Sequence, residues 1–159
     1  MQKTVIINAH VISPGVDIKN ATIVIEGRKI KGVISGGPKT AAPGKDVTVV
    51  DVRGKYVMPG FIDVHTHGAL GYDFCDADPK AVFEFAKAKL EEGVTTVLPT
   101  TLTVSNKELK TAAKNAKKYA EAGMPYAKVP ASISRDRSST SSAAARRILN
   151  TSVIRPSPK

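Results

Sequence analysis

The stretch "VMPGFIDVHTHG" (residues 57–68) decides the fold, because it places two of only three histidines one residue apart. The histidine pair ends an apolar run that begins after a Pro-Gly pair. Such a pattern is typical of a turn leading into a strand. Alternate side chains of a strand share a face, so Asp63, His65 and His67 point the same way. Two imidazoles about 7 Å apart along a strand can converge on one cation, and imidazole suits zinc, iron, nickel and related metals. The stretch predicts metal ligation by His65 and His67, with Asp63 deeper on the face as a partner that orients an imidazole.

Other polar residues near this stretch have ordinary explanations. Cys75 lacks an evident base and is interpreted as a small loop or core residue. Thr100 and Thr101 end the next strand on the same face and are only weak candidates. His10 lies inside an apolar strand, where a partly buried structural role is expected. Three aspartates form an acidic loop that solvation and helix capping explain: Asp73, Asp76 and Asp78.

Residues 58–130 alternate between strand and helix patterns. The strands are "FIDVHTH", the β-branched "VTTVLPT" and the beginning of a third, "YAKVP". Two capped helices separate them, one from Pro79, capped by Asp78, to Gly93, and one from the capping box of Ser105 and Glu108 to about Gly123. Such alternation predicts an α/β fold of parallel units, in a barrel or a doubly wound sheet. Two units and the start of a third do not close an eight-stranded barrel.

Residues 1–57 read as short strands without a catalytic constellation. Glu26-Gly27-Arg28-Lys29 lies between two alternating runs and predicts a hairpin. Arg53-Gly54 is a second turn signal between "VTVVDV" and "KYVM". We expect short antiparallel pieces in a small sandwich or sheet.

Composition and charge exclude several classes of function. No apolar run reaches the roughly 18 residues of a membrane span, and the single cysteine fits a reducing compartment, so a cytoplasmic, soluble protein is expected. The net charge is +10, and half of it lies in the last 29 residues. In the rest of the chain lysines alternate with acids and no aromatic platform is present, so no specific nucleic-acid binding is expected.

The strand-rich beginning followed by "VMPGFIDVHTHG" resembles the amidohydrolase superfamily. Within it, "HTHGALGYDF" and "GVTTVLPTTLT" are similar to the N-acetylglucosamine-6-phosphate deacetylases, and the similarity covers residues 1 to about 130. Dihydroorotases, hydantoinases and related deaminases share the His-x-His pattern and stay as alternatives.

The resemblance implies a metal-dependent amidohydrolase (β/α)8 (TIM) barrel, incomplete in this chain, with a small β-sandwich. It implies hydrolysis of N-acetylglucosamine-6-phosphate to glucosamine-6-phosphate and acetate, using one or two divalent ions, by a homo-oligomeric full-length enzyme whose partner is this small amino-sugar phosphate. His65 and His67 match the family's ligands on the first strand. Its further ligands are a Glu in a "HLEGP"-like motif and two later histidines, and its catalytic Asp follows. None of these is present, so no catalytic residue is assigned, the substrate-binding residues are unknown, and we expect little activity from this chain alone.

Residues 131–159 differ in composition from the rest. They hold eight serines and five arginines, whereas the first 130 residues hold three and two, and they contain no glycine. When one base is added before a permitted set of codons, "ASISRDRSSTSS" becomes Gly-Ile-His-Leu-Glu-Gly-Pro-Phe-Ile-Asn-Leu-Lys, which resembles the missing motif. We therefore hypothesise that this tail is out of frame and disordered. The alternative from another class is a non-catalytic fragment whose basic tail binds nucleic acid or acidic partners.

Overall fold

The computed structural model describes residues 2–37, 44–130, 132–135 and 145–147. The chain divides into two compact units, Met1–Pro59 and Gly60–Lys159. Most of the segment 131–159 lies outside the described residues, so its predicted disorder and shifted frame stay predictions.

The first unit contains one five-stranded sheet, whose strands are β1 (Lys3–Ser13), β2 (Val16–Glu26), β3 (Lys29–Ile34), β4 (Val47–Asp51) and β5 (Tyr56–Val57). The order is β3-β2-β1-β4, and β5 also pairs with β1. The first three strands are antiparallel, but β4 and β5 run parallel to β1. The expected antiparallel pairing is therefore confirmed for the first three strands but not for β4 and β5. The described residues of this unit form a single mixed sheet rather than two facing layers.

Turn residues explain why β2 and β3 form the predicted hairpin and why β4 and β5 do not pair with each other. The hairpin prediction is confirmed, because Glu26 pairs with Lys29 across a turn in which Gly27 has a φ of 59°. Gly54, with a φ of 79°, donates its amide to the Asn8 carbonyl at 2.7 Å, and the turn redirects the chain along β1 instead of folding it back on β4.

The predicted structural role of His10 is also confirmed. Its Nε2 lies 2.6 Å from a carboxylate oxygen of Asp17. Its ring centroid lies 4.7 Å from that of Tyr56 on β5. These contacts join three strands of the sheet.

The second unit contains two parallel βα units. Its elements are β6 (Phe61–Thr66), β7 (Gly68–Ala69), β8 (Tyr72–Asp73), α1 (Lys80–Glu91), β9 (Val94–Pro99), α2 (Asn106–Glu121), β10 (Ile133–Arg135) and β11 (Ala145–Arg147). β6 and β9 are parallel, which confirms the predicted parallel pairing. β7–β8 and β10–β11 are short antiparallel pairs. The predicted third strand appears as one parallel bridge, from Lys128 to Thr96.

Local sequence signals set the ends of both helices. The Asp78 carboxylate accepts the Lys80 amide at 2.9 Å, so α1 begins one residue later than predicted, after Pro79. Gly93, with a φ of 85°, ends it as predicted. The capping box of Ser105 and Glu108 at the start of α2 is confirmed.

The core of this unit lies where α1 and α2 cover β9. Its buried residues are Phe74, Val82, Phe85, Ala86, Val94, Val97, Ala112, Ala116, Tyr119, Ala127 and Val129. The apolar periodicity of α2 predicts an inward face of Leu109, Ala112, Ala113, Ala116 and Ala120. Ala112 and Ala116 are buried and the other three are half-buried, whereas the pattern missed the buried Asn115 and Tyr119. Polar atoms of both are satisfied inside: the Asn115 amide donates to the carbonyls of residues 76 and 77, and the Tyr119 hydroxyl donates to the Ala127 carbonyl at 2.9 Å. Among the described residues, no helix has the length and apolar character to cross a bilayer.

Candidate metal centre

The two neighbouring histidines lie at the carboxyl end of β6, His65 exposed and His67 half-buried. Their ring centroids are 5.4 Å apart and the ring planes meet at 83°. Two imidazoles bound to one tetrahedral zinc, with Zn–N distances near 2.0–2.1 Å, have centroids about 5 Å apart. The separation of the rings therefore fits two ligands of one divalent ion.

Thr100, which follows β9, contacts both rings. Its carbonyl oxygen lies 2.7 Å from Nδ1 of His67, and its hydroxyl oxygen lies 3.3 Å from Nδ1 of His65. A carbonyl only accepts, so the neutral His67 ring carries its proton on Nδ1, which leaves the Nε2 lone pair for a ligand. A ligating histidine commonly donates its other ring N–H in this way.

The position of Thr100 is itself fixed by β6. Its amide donates to the Thr66 carbonyl at 2.7 Å, and its side chain is buried. Sequence reasoning ranked Thr100 only as a weak candidate. The available signal was its place at the carboxyl end of the neighbouring parallel strand.

Asp63 makes contacts other than the predicted one to an imidazole. One carboxylate oxygen accepts the His65 backbone amide at 3.0 Å, and the other lies 3.5 Å from the Lys89 ammonium. A hydrogen bond from Lys89 to Glu92 at 2.9 Å raises the Lys89 pKa, and the Asp63 charge adds to that shift. Asp63 therefore holds the backbone of a candidate ligand and ties β6 to α1. Its predicted role in orienting an imidazole stays a prediction.

The chain after the histidines folds back at once. The Phe74 amide donates to the His67 carbonyl at 2.7 Å, which closes the β7–β8 hairpin against the strand end. A Cβ added at Gly68 would lie 1.9 Å from the Tyr72 carbonyl oxygen, so only glycine fits there. Phe74 is buried in the core, where packing was expected.

The acidic loop and the cysteine have the structural roles expected of them. The carboxylates of Asp73 and Asp76 accept backbone amides within the loop, at 2.7 and 2.8 Å. Burial is the main cause that raises the pKa of the Cys75 thiol, so the thiolate is disfavoured. Neither feature adds a ligand to the histidine pair.

His65 and His67 are thus the residues that could hold a metal, through their Nε2 atoms. Among the described residues, no group of three or more histidine, cysteine or acidic side chains is placed to bind an ion. Catalytic zinc sites use three protein ligands plus a water. The described part of the chain offers two candidates for those donors.

Comparison with known proteins identifies one family for this chain. A model for the family described as "Amidohydrolase family" matches residues 48–149, more than half of the chain. The chain belongs to this family. Amidohydrolases are generally metal-dependent hydrolases.

Individual relatives differ in their substrates. The chain is 32% identical to the N-acetylgalactosamine-6-phosphate deacetylase of Escherichia coli O157:H7, over 60% of this chain and 26% of that protein. It is 34% identical to the adenine deaminase of Staphylothermus marinus, over 58% of this chain and 14% of that protein.

Among solved structures, the N-acetylglucosamine-6-phosphate deacetylase of Pasteurella multocida matches with a TM-score of 0.64 and 25% identity, covering 75% of this chain and 31% of that one. The chain thus spans less than a third of the length of each of these three proteins.

Proposed function

We propose that this chain supplies the first-strand metal ligands of a hydrolase that removes the acetyl group from N-acetylglucosamine-6-phosphate. The reaction would give glucosamine-6-phosphate and acetate. The observation that carries the proposal is the pair His65 and His67, held through Nδ1 at a strand end with ring centroids 5.4 Å apart. The similarity to sugar-phosphate deacetylases supports the choice of substrate.

In this proposal the two imidazoles bind a divalent metal such as zinc or iron through Nε2. A metal of this kind, when bound, polarises a carbonyl and makes water a nucleophile near neutral pH. The residues of this chain hold and orient the ligand rings: Thr100 fixes them from β9, and Asp63 fixes the backbone of His65. Among the described residues no group of three or more histidine, cysteine or acidic side chains is placed to bind an ion, so the proposal assigns no third ligand and no proton-transferring carboxylate.

A second candidate is deamination of a purine ring, which the similarity to an adenine deaminase favours. The histidine pair suits both reactions, because each needs a metal-bound nucleophile at an sp² carbon. The distinction is in the substrate and product, acetate from an amino-sugar phosphate or ammonia from a nucleobase.

The first experiment is to sequence the coding DNA from the codon for residue 125 to beyond that for residue 159. We expect one missing base near residue 131. An intact frame through residue 159 would reject the frameshift hypothesis and leave the metal-site proposal to be judged by binding.

The second experiment assays the frame-restored protein for acetate release from N-acetylglucosamine-6-phosphate and N-acetylgalactosamine-6-phosphate, and for ammonia release from adenine. We expect deacetylation that chelators abolish, and that His65→Ala and His67→Ala lower by about 100-fold or more in kcat/KM, as removal of a metal ligand should. His10→Ala is the matched control and should leave it unchanged. Faster turnover of adenine would favour the second candidate. The chain without a restored frame should show little activity. Turnover by it at the rate of the restored protein would contradict the inference that it lacks metal ligands.

A further inference from the structure

We propose that Thr100 is a positioning residue that holds both metal-ligand rings in the tautomer with Nε2 free, and thereby prepares the site before any ion binds. The inference deepens the proposed function and rests on its metal site. It concerns the metal-free chain, so it can be tested without a loaded enzyme.

The geometry that carries the inference is a single residue in contact with the same ring atom of two histidines. The Thr100 carbonyl lies 2.7 Å from Nδ1 of His67, and its hydroxyl lies 3.3 Å from Nδ1 of His65. The carbonyl can only accept, so it fixes the His67 proton on Nδ1, whereas the hydroxyl can accept from or donate to Nδ1 of His65, and in this proposal it accepts. A ligand needs an unprotonated nitrogen, so a proton held at Nδ1 is the state that can bind metal.

The two contacts differ in chemistry, and this difference makes the inference testable. The contact to His67 uses a backbone carbonyl, which every substitution at position 100 retains. The contact to His65 uses a side-chain hydroxyl, which can accept the Nδ1 proton and which valine lacks. Removal of the hydroxyl should therefore change the tautomer of His65 and leave that of His67 as it was.

Thr100 is well placed to impose this order. Its side chain is buried and its amide donates to the Thr66 carbonyl at 2.7 Å, so it is fixed between β6 and the end of β9. His65, in contrast, is exposed, and the Thr100 hydroxyl lies 3.3 Å from its Nδ1. The exposed ring is therefore held by a buried residue.

The test is nitrogen-15 NMR of the histidine rings in the metal-free chain, at a pH about two units above the ordinary histidine value of about 6.5. In the wild type we expect His67 as the Nδ1–H tautomer and His65 enriched in it. In Thr100→Val the Nδ1–H population of His65 should fall while His67 stays unchanged, and Thr100→Ser should restore His65. Thr96→Val, the same change earlier on β9, is the matched control and should alter neither ring.

Cobalt(II) titration of the same variants gives the second readout. Loss of a group that orients a metal ligand typically costs about 10–100-fold in metal affinity. Thr100→Val should fall in the lower part of that range, with Thr100→Ser close to the wild type.

Three results would overturn the inference: a wild-type His67 protonated on Nε2, a His65 tautomer that does not respond to Thr100→Val, or a response that Thr100→Ser fails to reverse. The first result is measured on the wild type, so the proposal can still be rejected if Thr100→Val is too unstable to study. Failure of the proposed function looks different, because the tautomers would then be as expected while cobalt binding ignores His65→Ala and His67→Ala.

Discussion

The two parallel strands β6 and β9 pair with each other, yet they have very different surroundings. β9 meets β6 on one side and Lys128 on the other, and it shares a buried cluster with residues of both helices, in which Val97 is fully buried. β6 has β9 as its one partner strand within the part of the chain that the structure describes. Three of its apolar residues are 56–66% exposed: Phe61, Ile62 and Val64.

This contrast shows which strand supports the orientation of the two histidine rings. The candidate ligands His65 and His67 lie at the end of the poorly covered strand, but Thr100, which contacts both rings, follows the well-covered one. A buried strand end is a rigid support because its backbone is paired and its side chains are packed. The two candidate ligands therefore make their ring contacts with a residue of the neighbouring βα unit.

The largest expected effect separates two phenylalanines that differ in burial. Phe85 on α1 is fully buried, whereas Phe61 on β6 is 56% exposed. Phe85→Ala should lower the free energy of unfolding by about 3–5 kcal/mol, because it leaves a cavity in the core. Phe61→Ala should cost less than about 1 kcal/mol. Urea denaturation measures both, and equal losses would mean that β6 is covered as well as β9.

The second prediction concerns the ligands themselves. Isothermal titration calorimetry of this chain should show zinc binding. His65→Ala or His67→Ala should weaken the affinity at least tenfold, which is about 1.4 kcal/mol. His10→Ala removes the same side chain from the first unit and should leave the affinity unchanged. If all three variants bind zinc equally, the histidine pair is not the metal site.

Asp63 ties β6 to α1, and its substitution should lower stability by less than Phe85→Ala does. Asp63→Asn removes the charge that faces Lys89, a side chain 13% exposed, and should cost about 1 kcal/mol. A double-mutant cycle with Lys89→Met isolates the pair, because each single change removes the same ion pair.

The pH dependence of that pair has a definite sign. The hydrogen bond to Glu92, with a smaller contribution from Asp63, raises the pKa of Lys89 above its ordinary 10.5, so the folded state holds this proton more tightly than the unfolded chain. Its contribution should be complete below pH 10.5 and be lost as the pH rises through the higher folded value. A coupling energy that instead grows above pH 10.5 would contradict the assignment.

Local signals in the sequence predicted the local structure well. Ser105 and Glu108 form the expected capping box, Gly93 ends α1, and Gly27 makes the hairpin, because each effect depends on residues within a few positions. The histidine pair was visible for the same reason. Strand alternation places both rings on one face without any knowledge of distant residues.

Contacts between distant segments could not be predicted in this way. The parallel pairing of β4 and β5 with β1 leaves no trace in turn residues, since Gly54 suits a hairpin equally well. Thr100 was underrated because half of its role uses a carbonyl oxygen, which every residue possesses. Asn115 was missed on α2 because a buried amide is compatible with a core only when carbonyls such as that of Ala77 lie opposite it.

The smallest expected effect on stability tests the exposed side of β6. Unpaired strand edges with exposed apolar residues favour association between chains, and an inserted lysine opposes it. Ile62 is 66% exposed, so Ile62→Lys should change the free energy of unfolding by less than about 0.5 kcal/mol. It should nevertheless raise the concentration at which light scattering detects aggregates. Thr95→Lys adds the same charge to an exposed position on β9 and should give a smaller gain. An equal rise in the aggregation concentration for both variants would show that net charge, and not the exposed apolar side of β6, controls solubility.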